Sequence, residues 1–562
     1  PICTIKFEQG GALSSENIDK GDMSQFTSWG PTSSLEFKPE ITAPGGDIYS
    51  LANNNSYQSM SGTSMAAPHT SGAQALIIQG VKANGLNLSG RDLVTFAKNT
   101  AMNTSVPMTD KYGNGTIPYS PRRQGAGLLQ IRNAINNKVI VTNSNRQASV
   151  ALKEIGNNTS FTLNLKNYGN EEITYSIPEV KVYSEVTDEV GYIHEVELEG
   201  ASITFDKSSV TVPANGTATV ICNLNLSSVV TAQKFVEGFV KFVGNENVPS
   251  LVMPFMGFYG DWSAEKIVDD PEYTDGSTSS ITAETALIGV SGENLSYIGA
   301  VSNGQYTVFD KSKMAFSPNN DGTLDEVMPY LYMLRNSKEL KIQVLDQNGD
   351  ILSEIYKENN VRKNLLEEYI NGTSGPKLVS EGAWDGTLYN MNTGRYENVE
   401  DGNYYIRVVN KVDLPNATPQ NLDMPIMVDT VAPEIDILGV ESIASDNNSV
   451  NYVLKWKSND EASGLSDIFV VIIGDKMLVL SEDNISKDSN GNYYAIIPFA
   501  LETTNDVVVA TMDNAGNFGL DEEVISNVTN ADVKFTNISN GMIISADMLA
   551  DGKYIVRSEE RR

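Results

Sequence analysis

Eight consecutive residues, Gly62-Thr63-Ser64-Met65-Ala66-Ala67-Pro68-His69, combine a hydroxyl nucleophile with the backbone it would need. The small residues before Ser64 allow a tight turn. The run after it predicts a helix to about Gln79 that packs closely, because Ala66, Ala67, Ser71, Gly72, Ala73 and Ala75 carry little bulk. A serine at a helix N-terminus lies beside backbone N–H groups that lack an intrahelical acceptor, and the helix dipole adds partial positive charge there. Such donors are what a developing oxyanion requires. The chemistry this suits is acyl transfer, with Ser64 Oγ attacking a carbonyl and the Ser64 N–H helping to hold the charge on oxygen. Gly62, Thr63 and Met65 shape the turn, and Pro68 falls in the first helical turns, where a missing N–H costs least.

A serine nucleophile needs a base within hydrogen-bond reach and an acid to orient that base. The chain has two histidines. His69 follows Ser64 on the same helix and lies about 140° around its axis, too far round to reach back. His194, in Tyr192-Ile193-His194-Glu195-Val196, reads as one position on an alternating strand. Neither is expected to serve as the base.

The flanking segments extend the pattern. Phe26-Thr27-Ser28-Trp29-Gly30-Pro31 and Lys38-Pro39-Glu40-Ile41-Thr42-Ala43-Pro44-Gly45-Gly46 precede the serine, and Arg123-Gln124-Gly125-Ala126-Gly127 follows it. In sequence and order these four segments resemble the serine motif, its two upstream segments and the last turn of the subtilisin-like serine proteases. Within that family, long β-rich modules after the protease resemble the cell-envelope group, the lactocepin and C5a peptidase types. The resemblance implies a secreted or wall-attached endopeptidase of Gram-positive bacteria that acts on protein or peptide substrates through an acyl-enzyme. It also implies a catalytic Asp, His and oxyanion-hole Asn in segments before Phe26, and none is recognisable here. The chain is therefore expected to be a C-terminal portion, inactive without the missing N-terminal part of the catalytic domain. Pro1 to about Gly21 would be the return from a protease-associated insert. A non-catalytic surface scaffold or adhesin carrying a protease remnant is the alternative.

Composition fits an extracellular setting. With 71 acidic against 40 basic side chains and a formal net charge of −31, the surface repels nucleic acid and anionic membranes and favours cations such as calcium. Nucleic-acid binding is not expected. No apolar run approaches the ~18 residues of a membrane span. Cys3 and Cys222 lie far apart, so a disulfide framework is not the stabilising device.

The elements around the serine read as a partial α/β catalytic domain over residues 1–137. Ser89 and Asp92 are placed as a capping box opening a helix from Arg91 to Asn99, and another helix is expected from Leu128 to about Asn136. All-β modules of fibronectin-III and Ig-like sandwich type then follow. Residues 138–259 alternate in short strands, most clearly Thr217–Leu226, where Val220, Cys222 and Leu224 share one face after the turn Pro213-Ala214-Asn215-Gly216. This module resembles the fibronectin-type domain that follows the protease in the cell-envelope group. Residues 260–429 make a second β module, with Trp384-Asp385-Gly386 and Asp401-Gly402-Asn403-Tyr404 supplying aromatics for its core. Residues 430–526 make an Ig-like sandwich that closes through Asp513-Asn514-Ala515-Gly516-Asn517, and 527–562 begin a further β segment. Asn319, Asp321, Thr323 and Asp325 alternate about Gly322, the oxygen-rich spacing that calcium favours, and are the candidate structural calcium ligands; an Asx-rich turn reads equally well. Asp429, Asp513 and Asn514 are a second set that could share a metal, and hairpin-turn chemistry accounts for them as well.

Overall fold

Three of the singled-out segments are stitched into one knot. In the computed structural model Gly30 N–H donates to the Arg122 carbonyl at 2.8 Å and Ala126 N–H to the Glu40 carbonyl at 3.0 Å, while Thr42 N–H reaches Gly127 O and Leu129 N–H reaches Thr42 O. The glycines are there for space: a Cβ on Gly30 would lie 1.8 Å from the Lys38 carbonyl, and one on Gly125 2.4 Å from the Glu40 backbone. The structure describes residues 21–562 apart from 111–114, 190, 272, 274–284, 303–306, 366–371, 373–374, 445–449, 482, 503, 527–532, 536–557 and 561–562. The expected return strand before Gly21, Cys3 and most of the 527–562 segment lie outside the described residues.

The described chain divides into two compact units, one of residues 1–265 with 413–417 and the other of 266–412 with 418–562. In the first unit a hairpin of β1 (Ile48–Ala52) and β2 (Ser56–Met60) leads into α1 (Thr63–Ala83). Helix α1 runs one turn beyond the expected Gln79 because Val81 finds cover among Phe96 and Ile140. Ala73 and Ile77 pack against Ala97 and Ala101 of α2 (Gly90–Asn103) and Ala134 of α4 (Ile131–Asn136), with the short α3 (Pro121–Gln124) between them in sequence. Gly80 lets α4 approach, since a Cβ there would sit 2.7 Å from Ile135. Two expectations need correction. Ser89 precedes α2 but makes no capping hydrogen bond, because Gly90 opens the helix with φ +52 and Asp92 turns outward to Arg146 at 3.0 Å. Residues 128–130 stay extended, held by backbone bonds to Val106 and Thr42, so α4 begins only at Ile131.

After α4 the first unit becomes a β-sandwich. One sheet orders Val139–Thr142, Asn158–Asn167, Thr217–Leu226 and Ala201–Phe205; the other orders Val150–Ile155, Leu251–Tyr259, Lys234–Phe242, Val182–Thr187 and Ile193–Glu197. Strand Thr217–Leu226 has the expected bounds, and its Val220, Cys222 and Leu224 face a core with Leu163, Leu165, Tyr175 and Phe255. Burial pushes the Cys222 thiol up to about 12.

The second unit holds two further sandwiches. The first pairs a four-stranded sheet with a five-stranded one ordered 315–316, 420–428, 402–411, 337–345 and 351–361. Trp384 is buried between Phe316 and Tyr404, so the two sequence aromatics do pack its core. The next has two four-stranded sheets between 434 and 526 around Trp456 and Phe469. Among the described residues no helix is long and apolar enough to cross a membrane.

Candidate active site

Ser64 lies in the first turn of α1 and is exposed, so a substrate carbonyl can approach its hydroxyl. Thr63 is exposed and Met65 half-buried. Gly62 precedes the helix with φ 154 and ψ 160, a backbone that L side chains rarely adopt, and accepts from Met65 N–H at 3.0 Å. The Ser64 N–H therefore stands at the open end of a 21-residue helix, where the dipole is positive. Pro68 removes the N–H that would have bonded the Ser64 carbonyl, so that group too is outside the helix ladder.

The turn is latched from upstream. Gly62 N–H donates to the Gly45 carbonyl at 2.8 Å, and a Cβ on Gly45 would meet the Gly62 carbonyl oxygen at 2.8 Å and Ala66 Cβ at 3.3 Å. Ser61 Oγ accepts from Asp47 N–H at 2.9 Å and lies 3.3 Å from Asp47 Oδ1. The latch continues through Thr42 into the Gly127 turn. Sequence reading named these segments by resemblance; that Gly45, Asp47 and Ser61 hold the serine turn follows only from the chain path.

His69 is exposed further along α1. His194 lies on strand Ile193–Glu197 opposite Val186, with its ring stacked on Tyr192. The side chains Tyr49, Leu51, Tyr57 and Met60 of the hairpin and Leu76 of α1 are apolar or aromatic and exposed, Leu51 to 76%.

A second polar centre joins the last turn of the helical part to the first sandwich. The Arg122 guanidinium, 4% exposed, donates to Glu237 Oε2 at 3.0 Å and to Glu185 Oε2 at 2.5 Å and lies 3.8 Å from the Phe235 ring centroid. Ser120 Oγ donates to Glu237 Oε1 at 2.6 Å. Glu195, also buried, adds a third carboxyl hydrogen-bonded to Glu237; burial first and then the Glu237 charge raise it far above the usual carboxylate range. No spacing in the sequence signalled this cluster.

The alternating loop closes on itself. Asp325 accepts from Asn320 and Gly322 N–H groups at 2.6 and 2.8 Å, Asp321 accepts from Thr323 N–H and from the Asn319 amide, and Asn319 also reaches Asn517 Oδ1 at 3.2 Å.

Comparison with known proteins completes the picture. Residues 11–127 match the Subtilase family and residues 150–256 an Fn3-like domain. Over 465 residues the chain is 34% identical to the PI-type proteinase of Lactococcus lactis subsp. cremoris, covering 79% of this chain and 24% of that protein. The PII-type proteinase of Lacticaseibacillus paracasei is 34% identical over 81% of the chain and 24% of its own length. The C5a peptidase of Streptococcus pyogenes serotype M3 is 26% identical over 73% and 40%. The chain thus spans about a quarter to two-fifths of the length of these relatives. The exposed serine turn lies within the span that matches the Subtilase family, and the segment that matches an Fn3-like domain follows it in the chain.

Proposed function

We propose that this chain is the nucleophile-bearing part of an extracellular or cell-wall serine endopeptidase that cleaves protein substrates through an acyl-enzyme on Ser64. The observation that carries the reading is the exposed Ser64 in the first turn of a helix whose entry is fixed by Gly62, Gly45 and the Asp47–Ser61 contact. Ser64 Oγ attacks the scissile carbonyl, and the carbonyl oxygen takes up negative charge against the Ser64 N–H. The proton from Oγ passes to a histidine that another polypeptide segment brings, since His69 points elsewhere on the helix and His194 lies on a sandwich strand. Tyr49, Leu51 and Tyr57 share one face of the hairpin and are exposed, which supports a covering segment there, since exposed apolar side chains grouped on one face mark a surface built to be buried.

The test is labelling with a serine-reactive fluorophosphonate, with and without an N-terminal subtilase segment supplied in trans. Labelling that appears only in the reconstituted protein and vanishes in Ser64→Ala supports the reading. No labelling in either form favours a non-catalytic scaffold, and turnover by the chain unaided would place the base within it.

A further inference from the structure

Three carboxylates in the second unit converge on one point. Asp429, Asp460 and Asp513 each present an oxygen within 4.8 Å of the others. Asp429 is fully buried and Asp513 is 3% exposed, and among the described residues no Lys, Arg or His pairs with any of the three. Their contacts are all with neutral donors: Asp429 accepts from Val431 and Ser463 N–H, Asp460 from Ala462 and Gly464 N–H, and Asp513 from Ala515 and Asn517 N–H and the Asn517 amide. Burying carboxylates side by side is costly unless positive charge joins them.

A separate observation points to a ligand. Ser463, 3% exposed, has a hydroxyl oxygen that is shut off from solvent and has no hydrogen-bond partner. It lies among the three acids: its N–H holds Asp429, its carbonyl accepts from the Asn514 amide, and it shares a loop with Asp460. Orphaned buried hydroxyls are rare in folded proteins. Three carboxylates and a hydroxyl form an all-oxygen donor set, which suits a hard divalent cation of the size of calcium better than zinc or copper.

We propose that Asp429, Asp460 and Asp513 bind one calcium ion, with Ser463 as an adjoining oxygen donor. The site lies where two sandwiches of the second unit meet. Asp429 follows strand Gln420–Val428 of one sandwich, while in the other Asp460 follows strand Val450–Asn459 and Asp513 ends strand Thr504–Asp513. Asn517 joins them, donating to the Asp429 carbonyl at 2.8 Å and accepting from Ser317 Oγ at 2.5 Å, Ser317 lying next to strand 315–316 in the same sandwich as Gln420–Val428. The ion therefore holds the joint rigid, one loop away from the alternating Asn319–Asp325 segment that the sequence singled out.

The test is calorimetric titration of the chelator-stripped 562-residue chain with calcium chloride alone, beside Asp460→Asn and Asp325→Asn. Asparagine keeps an oxygen for the Ala462 and Gly464 N–H groups while removing charge, and Asp460 lies at the more open lip of the site. The expected result is that D460N loses one binding equivalent or at least tenfold in affinity, together with the calcium-dependent rise in melting temperature, and that D325N keeps both. A wild-type chain that takes up no calcium, or a D460N chain that matches wild type in both readouts, overturns the proposal. So does loss confined to D325N.

Discussion

The orientation of Ser64 depends on a carbonyl belonging to Gly45. Because a methyl at Gly45 would fall 2.8 Å from the Gly62 oxygen, Gly45→Ala must displace the turn that carries the nucleophile. Misplacement of this kind costs a nucleophile on the order of 100-fold. The fluorophosphonate labelling rate of the reconstituted G45A protein is therefore expected to fall at least tenfold while its thermal midpoint moves by only a few degrees; an unchanged rate would remove the latch from the account. Gly62→Ala should behave alike, since φ 154 belongs to a region open chiefly to glycine. Glu195 gives a pH signature. Its folded-state affinity for the proton is raised above the unfolded one, so its stabilising contribution is complete below the ordinary value of 4.5 and is lost as pH rises through the range above it. Glu195→Gln stays neutral and can still donate to Glu237. It should match wild type near pH 4.5 and exceed it by at least about 1 kcal/mol at pH 8 in urea unfolding. A constant difference between the two pH values would show that Glu195 does not carry a buried proton.

At the scale of elements, legibility followed how local each determinant is. Strand Thr217–Leu226 was readable because alternation and a Pro-Ala-Asn-Gly turn both lie within it. The serine helix was readable at its start and not at its end, since Val81 is kept helical by Phe96 and Ile140, which sequence spacing does not reveal. Ser89 and Asp92 had capping-box spacing, and a left-handed Gly90 decided otherwise. The joint acids were harder still: Asp429 and Asp513 carried a local turn signal each, and only the sheet order brings Asp460 between them. Helix α1 is held by the small core around Ile77, which is fully buried against Ala97, Ala101 and Ala134. Ile77→Ala should cost about 2–5 kcal/mol. Urea denaturation followed by helical circular dichroism checks this, and a loss well under that range would mean that α1 is supported elsewhere.

For the whole molecule, the Arg122 cluster matters more than its size suggests. Replacing Arg122 by alanine leaves Glu237 buried with Ser120 and Glu195 beside it and no countercharge from the guanidinium, a change worth about 3–5 kcal/mol. The expected outcome in R122A is earlier urea unfolding of the helical segment and the first sandwich together, seen as one shifted transition. Two separated transitions would show that the two parts do not depend on this contact. Glu237→Gln should recover part of the loss in R122A, because the amide needs no countercharge.

The same guanidinium limits how such chains can be recombined. Its anchor points, Glu185 and Glu237, come from the sandwich, whereas Arg122 belongs to the turn that lies against the serine latch. A chimera that exchanges the sandwich for one lacking either acid strands a positive charge beneath the nucleophile's own support. Module shuffling at this border should therefore succeed only when turn and sandwich travel as a single inherited piece.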